Sequence, residues 1–237
     1  MPSCPKFKAL AFCSMEVESQ HVDFGKMAVR FFTELAGGES FTLETSNDLN
    51  DLNDAKLQDV DVILMLNDAP RTPEQRSAFE RYMERGGGWL GFHAAGFNDA
   101  TTAWPWLVKF MGGAVFHNSN WPMTPVKCMV DDREHPITRA MPPSFISPAN
   151  EWYQWRPSPR GNKNVKVLVS LSPDNYPLGM KNIIADGDLP VVWTHHPYRM
   201  VYLNMGHGLK IFSDTTQSLL IASAFRWLVS SLIDKKA

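Results

Sequence analysis

The chain has 237 residues, 44% of them hydrophobic and 20% charged, and a formal net charge of −2 from 23 basic and 25 acidic side chains. That is enough apolar material for the core of a single domain. Near-neutral charge with no Lys/Arg cluster excludes the phosphate-tracking stripe that a nucleic-acid binder requires. No apolar run approaches the ~18 to 20 residues that span a bilayer.

The opening MPSCPKFKALAFC holds an apolar stretch of only about six residues, which reads as a strand and not as the h-region of a signal peptide. A cytoplasmic location is expected, or an exported one if a leader has been removed. The cysteines Cys4, Cys13 and Cys128 are odd in number and lack metal-ligand spacing, which predicts reduced thiols and no disulfide framework.

In chain order, Lys8 to Cys13 predicts a buried first strand. A helix follows, with Phe24, Met27, Ala28, Phe31, Phe32 and Leu35 at helical spacing and a stop at Gly37-Gly38. Phe41 to Thr45 predicts a second strand, and Val60 to Leu66 is apolar almost throughout, as in a central parallel strand covered on both faces. The next helix has Thr72 as cap, Pro73 in the first turn and Gln75 where a capping box places it. It ends at Gly86-Gly87-Gly88, before a short strand from Trp89 to Phe92. This alternation predicts a doubly wound sheet, with the strands at Lys8 to Cys13, Val60 to Leu66 and Trp89 to Phe92 parallel and adjacent. Pro125 to Val130, Val165 to Leu171, Pro190 to His195 and Met200 to Met205 predict further strands. With few helices between them, some are expected to be antiparallel additions at one edge. A last helix carries Leu220, Ala224, Trp227 and Leu228. No repeat or domain-splitting linker interrupts residues 1–237, so one domain is expected.

Ligands of open α/β sheets bind beyond the carboxyl ends of the strands. In GGGWLGFHAAG, His93 falls where the chain leaves the sheet; the bland alternative is a loop hydrogen bond. His117 follows a Gly pair in MGGAVFHNSNW, a segment that also carries Trp121. His135, in HPIT, reads as a turn residue. Glu151 sits beside Trp152, Tyr153 and Trp155, and a carboxylate among aromatic faces suits a sugar, although aromatic clusters are also ordinary core. His195 and His196, on one extended segment, point to opposite faces, so at most one reaches a pocket. His207 lies between Gly206 and Gly208 after a strand. Several of these histidines could converge on a metal, though their spacing matches no zinc signature.

The segments GGGWLGFHAA, GGAVFH, HPIT, EWY and PVVWTHHPYRMVYLNMGHG, in this order, resemble the ThuA-like, or trehalose-utilisation, family over nearly the whole chain. The resemblance implies a flavodoxin-like sheet with extra antiparallel edge strands, similar to the class I glutamine amidotransferases, and a role in sugar utilisation. Two departures stand out. His93 occupies the turn where an amidotransferase has its nucleophilic Cys, so thiolate chemistry is not expected. Pro197-Tyr198-Arg199 replaces a Gly-Lys-Gly type turn before the last strand, which puts the local loop shape in question.

These readings converge on an enzyme acting on a sugar or keto-sugar, with His93, His117, Glu151 and His207 as catalytic groups. Trp121, Trp152, Tyr153 and His195 are the expected substrate contacts, and a divalent metal on His93, His117 and His207 is a further expectation. Glu151 has no evident carboxylate partner, which favours proton-transfer, lyase or isomerase chemistry over plain glycoside hydrolysis. The alternative is a non-catalytic carbohydrate-binding or sensing domain. Small carbohydrates are the expected partners, with no nucleic acid and no membrane, and the eight Trp leave room for a homodimer interface.

Overall fold

In the computed structural model, which describes residues 7–39 and 41–236, nine strands form one sheet and two short strands a second. The elements in chain order begin with β1 (Phe7–Phe12), α1 (Ser19–Gly38), β2 (Phe41–Ser46), the single turn α2 (Asp54–Leu57), β3 (Val62–Met65), α3 (Pro73–Glu84) and β4 (Gly88–Phe92). They continue with α4 (Pro105–Phe110), β5 (Phe116–Ser119), β6 (Thr124–Val130), β7 (Ser144–Asn150), β8 (Tyr153–Trp155), β9 (Val165–Leu171), β10 (Pro190–His195), β11 (Arg199–Leu203) and α5 (Thr215–Lys236).

The large sheet runs β2-β1-β3-β4-β11-β10-β9-β6-β7. Its first five strands are mutually parallel. The other four attach antiparallel on the β11 side. This is the doubly wound, mostly parallel sheet with antiparallel edge strands that the sequence predicts, and β1, β3 and β4 are parallel neighbours.

Why the central strands read as unbroken apolar runs is visible in their two faces. Ala9, Ala11, Val62, Leu64, Leu90 and Phe92 pack with Phe24, Phe32, Leu220 and Phe225 of α1 and α5. Leu10, Phe12, Ile63, Met65 and Trp89 pack on the other face with Phe79, Tyr82 and Phe110 of α3 and α4. Strand side chains alternate in direction, so helices on both faces demand apolar residues at every position. The capping box at the start of α3 forms as expected: Gln75 N donates to Thr72 Oγ1 (3.3 Å), and Thr72 N donates to Gln75 Oε1 (3.2 Å).

Elements without a strong periodic signal escape the sequence reading, namely β5, β7, β8 and the short helices α2 and α4. Cys13 and Cys128 are buried free thiols, and burial raises the pKa of both. Cys4 lies outside the described residues. Among the described residues, no helix is long and apolar enough to cross a membrane.

The Trp89 indole sets one steric constraint. It is buried edge-on against Phe110 and Phe79, and a Cβ at Gly91 would lie 1.9 Å from its Cζ2 atom. Gly91→Ala is therefore expected to destabilise the protein by about 1–3 kcal/mol through overpacking, with the site below intact. Equilibrium denaturant unfolding checks this; a variant as stable as the parent would show that Trp89 has room to move.

Candidate metal centre

β4 and β11 are adjacent and parallel, with Phe92 paired to Leu203. The chain therefore leaves both strands at the same edge, and His93 and His207 emerge side by side, their ring centroids 5.0 Å apart. His93 has φ of 44°, one of two positive-φ residues other than Gly among those described. A left-handed residue at a sharp strand-to-helix turn carries strain and displays its side chain above the sheet. Gly206 makes the fit possible, since a Cβ there would come within 2.2 Å of the His93 Cβ.

Three buried asparagines hold the loops in place. Asn150, ending β7, accepts through Oδ1 from the backbone N–H groups of Gly206 (3.0 Å), His207 (3.1 Å) and Gly208 (3.2 Å). Asn204 accepts from Tyr153 N (2.9 Å) and donates to Tyr153 O (2.8 Å), which fixes the segment carrying Glu151 over the end of β11. Asn67, just past β3, donates to Ser14 O (2.9 Å) and His21 O (3.1 Å), tying the first turn of α1 to the same edge.

The result is a cluster of four side chains, His21, His93, Glu151 and His207, each offering a donor atom within 4.8 Å of the others. Glu151 Oε2 lies 2.8 Å from His207 Nε2 and 3.3 Å from His93 Nε2. The first contact is close but badly angled, and His207 Nε2 makes no proper hydrogen bond. His21 Nε2 is also buried without a hydrogen-bond partner. The opposite nitrogens face acceptors. His93 Nδ1 lies 2.7 Å from Asn204 O, and a carbonyl can only accept, so Nδ1 carries the proton and the Nε2 lone pair faces the cluster. His207 Nδ1 lies 3.4 Å from Gln20 Oε1 and 3.9 Å from Glu18 Oε2, and His21 Nδ1 is also 3.9 Å from Glu18 Oε2.

Electrostatics match this arrangement. Burial, reinforced by His207 and His93, lowers the His21 pKa from 6.5 to about 3. Burial also lowers the pKa of His93, against the opposing pull of Glu151. For Glu151 burial acts upward, but its close contacts with His207 and His93 outweigh it and hold the carboxyl well below the usual range. Neutral His21 and His93 beside the ionised Glu151, with His207 Nε2 in the same small volume, form a donor set for a borderline divalent cation such as zinc. Tetrahedral bonds of ~2.0–2.2 Å place donors roughly 3.3–3.6 Å apart, so small rotations of these four side chains suffice.

Clefts open on two sides of the cluster. One, of about 500 Å³, is lined by His21 and Tyr153 together with Phe97, Trp104, Arg71 and Arg76. The other, of about 530 Å³, is lined by His207, Gln20, Asp23, Met123 and Leu209.

Of the residues expected from sequence, His93, Glu151 and His207 come together. Tyr153 stacks on His93 (centroids 3.7 Å apart, 27° between planes), and Trp121 meets His207 edge-on at 6.4 Å. His117 does not join them; it is exposed on β5. Trp152 is fully buried core, its indole N–H donating to Thr124 O (3.0 Å). His195 ends β10, which runs antiparallel to β11, so it lies at the opposite end of the sheet with Nδ1 2.9 Å from Phe110 O. The Pro197-Tyr198-Arg199 turn is at that end too, away from the cluster. His135 accepts from Ile137 N within its own turn (3.2 Å). The sequence reading missed His21. A polar histidine in the first turn after the first strand is itself a strand-end position, and that was the available signal.

Fold and site together define an α/β protein with an amidotransferase-like fold whose strand-to-helix turn displays the His93 imidazole. The chain belongs to the ThuA family, described as trehalose utilisation, which it matches over residues 8–228. A ThuA-like protein from Bacteroides uniformis is 53% identical, with 97% of this chain and 94% of that one aligned at a TM-score of 0.94. One from Parabacteroides merdae is 15% identical over 94% and 90% of the two chains, with a TM-score of 0.67. The glutaminase domain of Trypanosoma brucei CTPS shares the fold at 9% identity, 94% coverage of both chains and a TM-score of 0.56. No curated protein matches the chain.

The depressed histidine pKa values give the metal-free protein a defined pH response. Between pH 6.5 and about 3 the unfolded chain takes up a proton at His21 that the folded chain refuses. The stabilisation is complete above about 6.5 and is lost as pH falls, and His93, His135 and His195 act in the same direction. Metal-free protein should therefore melt at a lower temperature at about pH 5.5 than at about pH 7.5, with a smaller difference in His21→Asn. A melting temperature independent of pH over this range would contradict the assignment.

Proposed function

We propose that the chain is a metal-dependent carbohydrate-active enzyme whose reactive centre is His21, His93, Glu151 and His207. One observation carries this reading: the buried, unpartnered Nε2 atom of His21, next to three other donors that offer their electron pairs to the same small volume. A buried polar atom without a partner costs about 1–3 kcal/mol, and a cation would remove that cost here.

A divalent cation, when bound, polarises a sugar hydroxyl or carbonyl oxygen and acidifies adjacent water. The protein's own groups do the rest. Asn204 O fixes the His93 tautomer, and Glu151 supplies the negative charge that imidazole ligands lack. Phe97, Tyr153 and Trp104 give the cleft an apolar wall for the C–H groups of a sugar and narrow the access of water. Glu151 is engaged by two histidines, so the carboxylate pair of an ordinary glycosidase is not formed around it. This arrangement suits proton transfer next to a sugar carbonyl, as in a lyase or isomerase acting on a keto-sugar. The family's link to trehalose utilisation makes trehalose and its oxidised derivatives the first compounds to assay.

Chelator-stripped protein should regain a single zinc, cobalt or manganese ion per chain by elemental analysis, with a higher melting temperature. His21→Asn and Glu151→Gln should each lower metal affinity at least tenfold and reduce turnover in proportion. Wild-type protein that stays metal-free and shows no thermal shift with any of these ions would sink the proposal. A metal-loaded protein that binds the sugars without converting them would make it a carbohydrate sensor.

A further inference from the structure

The cleft that His21 shares with Tyr153 contains two arginines and one aspartate, and their charges are used unequally. Arg71 is committed: its Nη2 lies 2.6 Å from Asp68 Oδ2 and its Nη1 3.4 Å from Glu16 Oε2. Arg76 is not. Its guanidinium lies over the Trp104 indole, 5.1 Å from the ring centroid, and its Nε donates to Pro70 O (3.3 Å). Among the described residues, no carboxylate comes within ion-pair distance of it. The indole itself is anchored, donating to Glu80 Oε1 (2.6 Å).

A half-buried arginine stacked on an aromatic ring has a fixed plane and, with its Nε used, leaves its outer N–H groups to meet a ligand. That fork matches a carboxylate or phosphate. The rest of the wall is apolar, with Phe97, Trp104, Tyr153, Pro70 and Leu107 beside the Thr102 hydroxyl, and Asp68 is already neutralised by Arg71. Among the side chains that line the cleft, Arg76 is therefore the positive charge without an ion-pair partner.

We infer that this cleft selects a sugar acid, a polyhydroxylated monocarboxylate whose carboxylate pairs with Arg76 while its hydroxyl or carbonyl oxygens face the histidine cluster. The inference rests on the reading of that cluster as the reactive centre. A single unpaired arginine balances the one negative charge of a carboxylate, where a phosphate dianion would ask for a second cation. The aromatic wall covers the pyranose C–H faces in between.

The test is binding of D-glucuronate, methyl glucoside and glucose 6-phosphate to metal-loaded wild type, Arg76→Gln and Arg76→Lys, by calorimetry, with metal content measured in parallel. Wild type should prefer glucuronate over the neutral glucoside by roughly tenfold or more. Arg76→Gln should abolish that preference while keeping its metal, and Arg76→Lys should retain part of it. Equal binding of the acid and the neutral sugar by wild type would overturn the inference. So would an undiminished preference in Arg76→Gln, which would place the carboxylate on the metal, or tighter binding of the phosphate. In each of those cases normal metal content would leave the metal centre standing, whereas protein that never takes up metal would mark failure of the underlying reading.

Discussion

The contact between His93 and Gly206 is the constraint on which the site depends. Two adjacent parallel strands end together, and each delivers a histidine-bearing turn into the same few ångströms. Both turns fit only because one backbone adopts a left-handed conformation and the other lacks a Cβ. Strain at His93 persists because the surroundings over-determine it: Asn204 O holds the ring nitrogen, Tyr153 covers the ring face, and the Tyr202 hydroxyl donates to the His93 carbonyl (3.0 Å). The imidazole is in this way set in orientation before any ligand arrives, as preorganised sites require.

The asparagines extend this control to elements far apart in sequence. Asn150 gathers three consecutive backbone N–H groups into one carboxamide oxygen; these groups precede the single 3-10 turn at Leu209–Phe212 and find no partner within it. Asn204 joins the end of β11 to the Glu151 segment by two hydrogen bonds, and Asn67 joins β3 to α1. A helix, two central strands and a cross-sheet segment are thereby locked to one edge. Each lock is a buried neutral amide, which adds no charge to compete with Glu151 for a cation.

Much of the frame was legible in the sequence because burial on both faces leaves an unambiguous signature. The unbroken run through Val62–Met65 and the Thr72/Gln75 capping box meant what they appeared to mean. Strand direction was less accessible, and that explains the misplaced residues. His195 and His93 each end an apolar strand, yet one strand runs down the sheet and the other up, and hydrophobic pattern carries no sign. His117 follows a glycine pair like a strand-end residue, but that turn leads into the two-stranded β5–β8 pair, where His117 faces solvent. His21 was missed for a different reason. The helical pattern became evident only at Phe24, so the polar first turn read as connection, although Asn67 fastens it to the sheet.

The amidotransferase-like architecture accounts for why these groups collect where they do. A strand-to-helix turn that projects a side chain above parallel strand ends is useful for any reactive group, whether a thiolate or an imidazole. An imidazole alone at such a turn would be an isolated base. What changes its chemistry is the company of His21, His207 and Glu151, with burial holding His21 and His93 neutral and the His21 Nε2 left without a hydrogen-bond partner. Burial opposes a positive charge on His21 or His93, and the pull of Glu151 offsets it only in part, so neither imidazole stores a proton well. The same two effects favour a cation that all four groups can share. The geometry that makes this cluster a poor proton store is therefore what makes it a good metal ligand set.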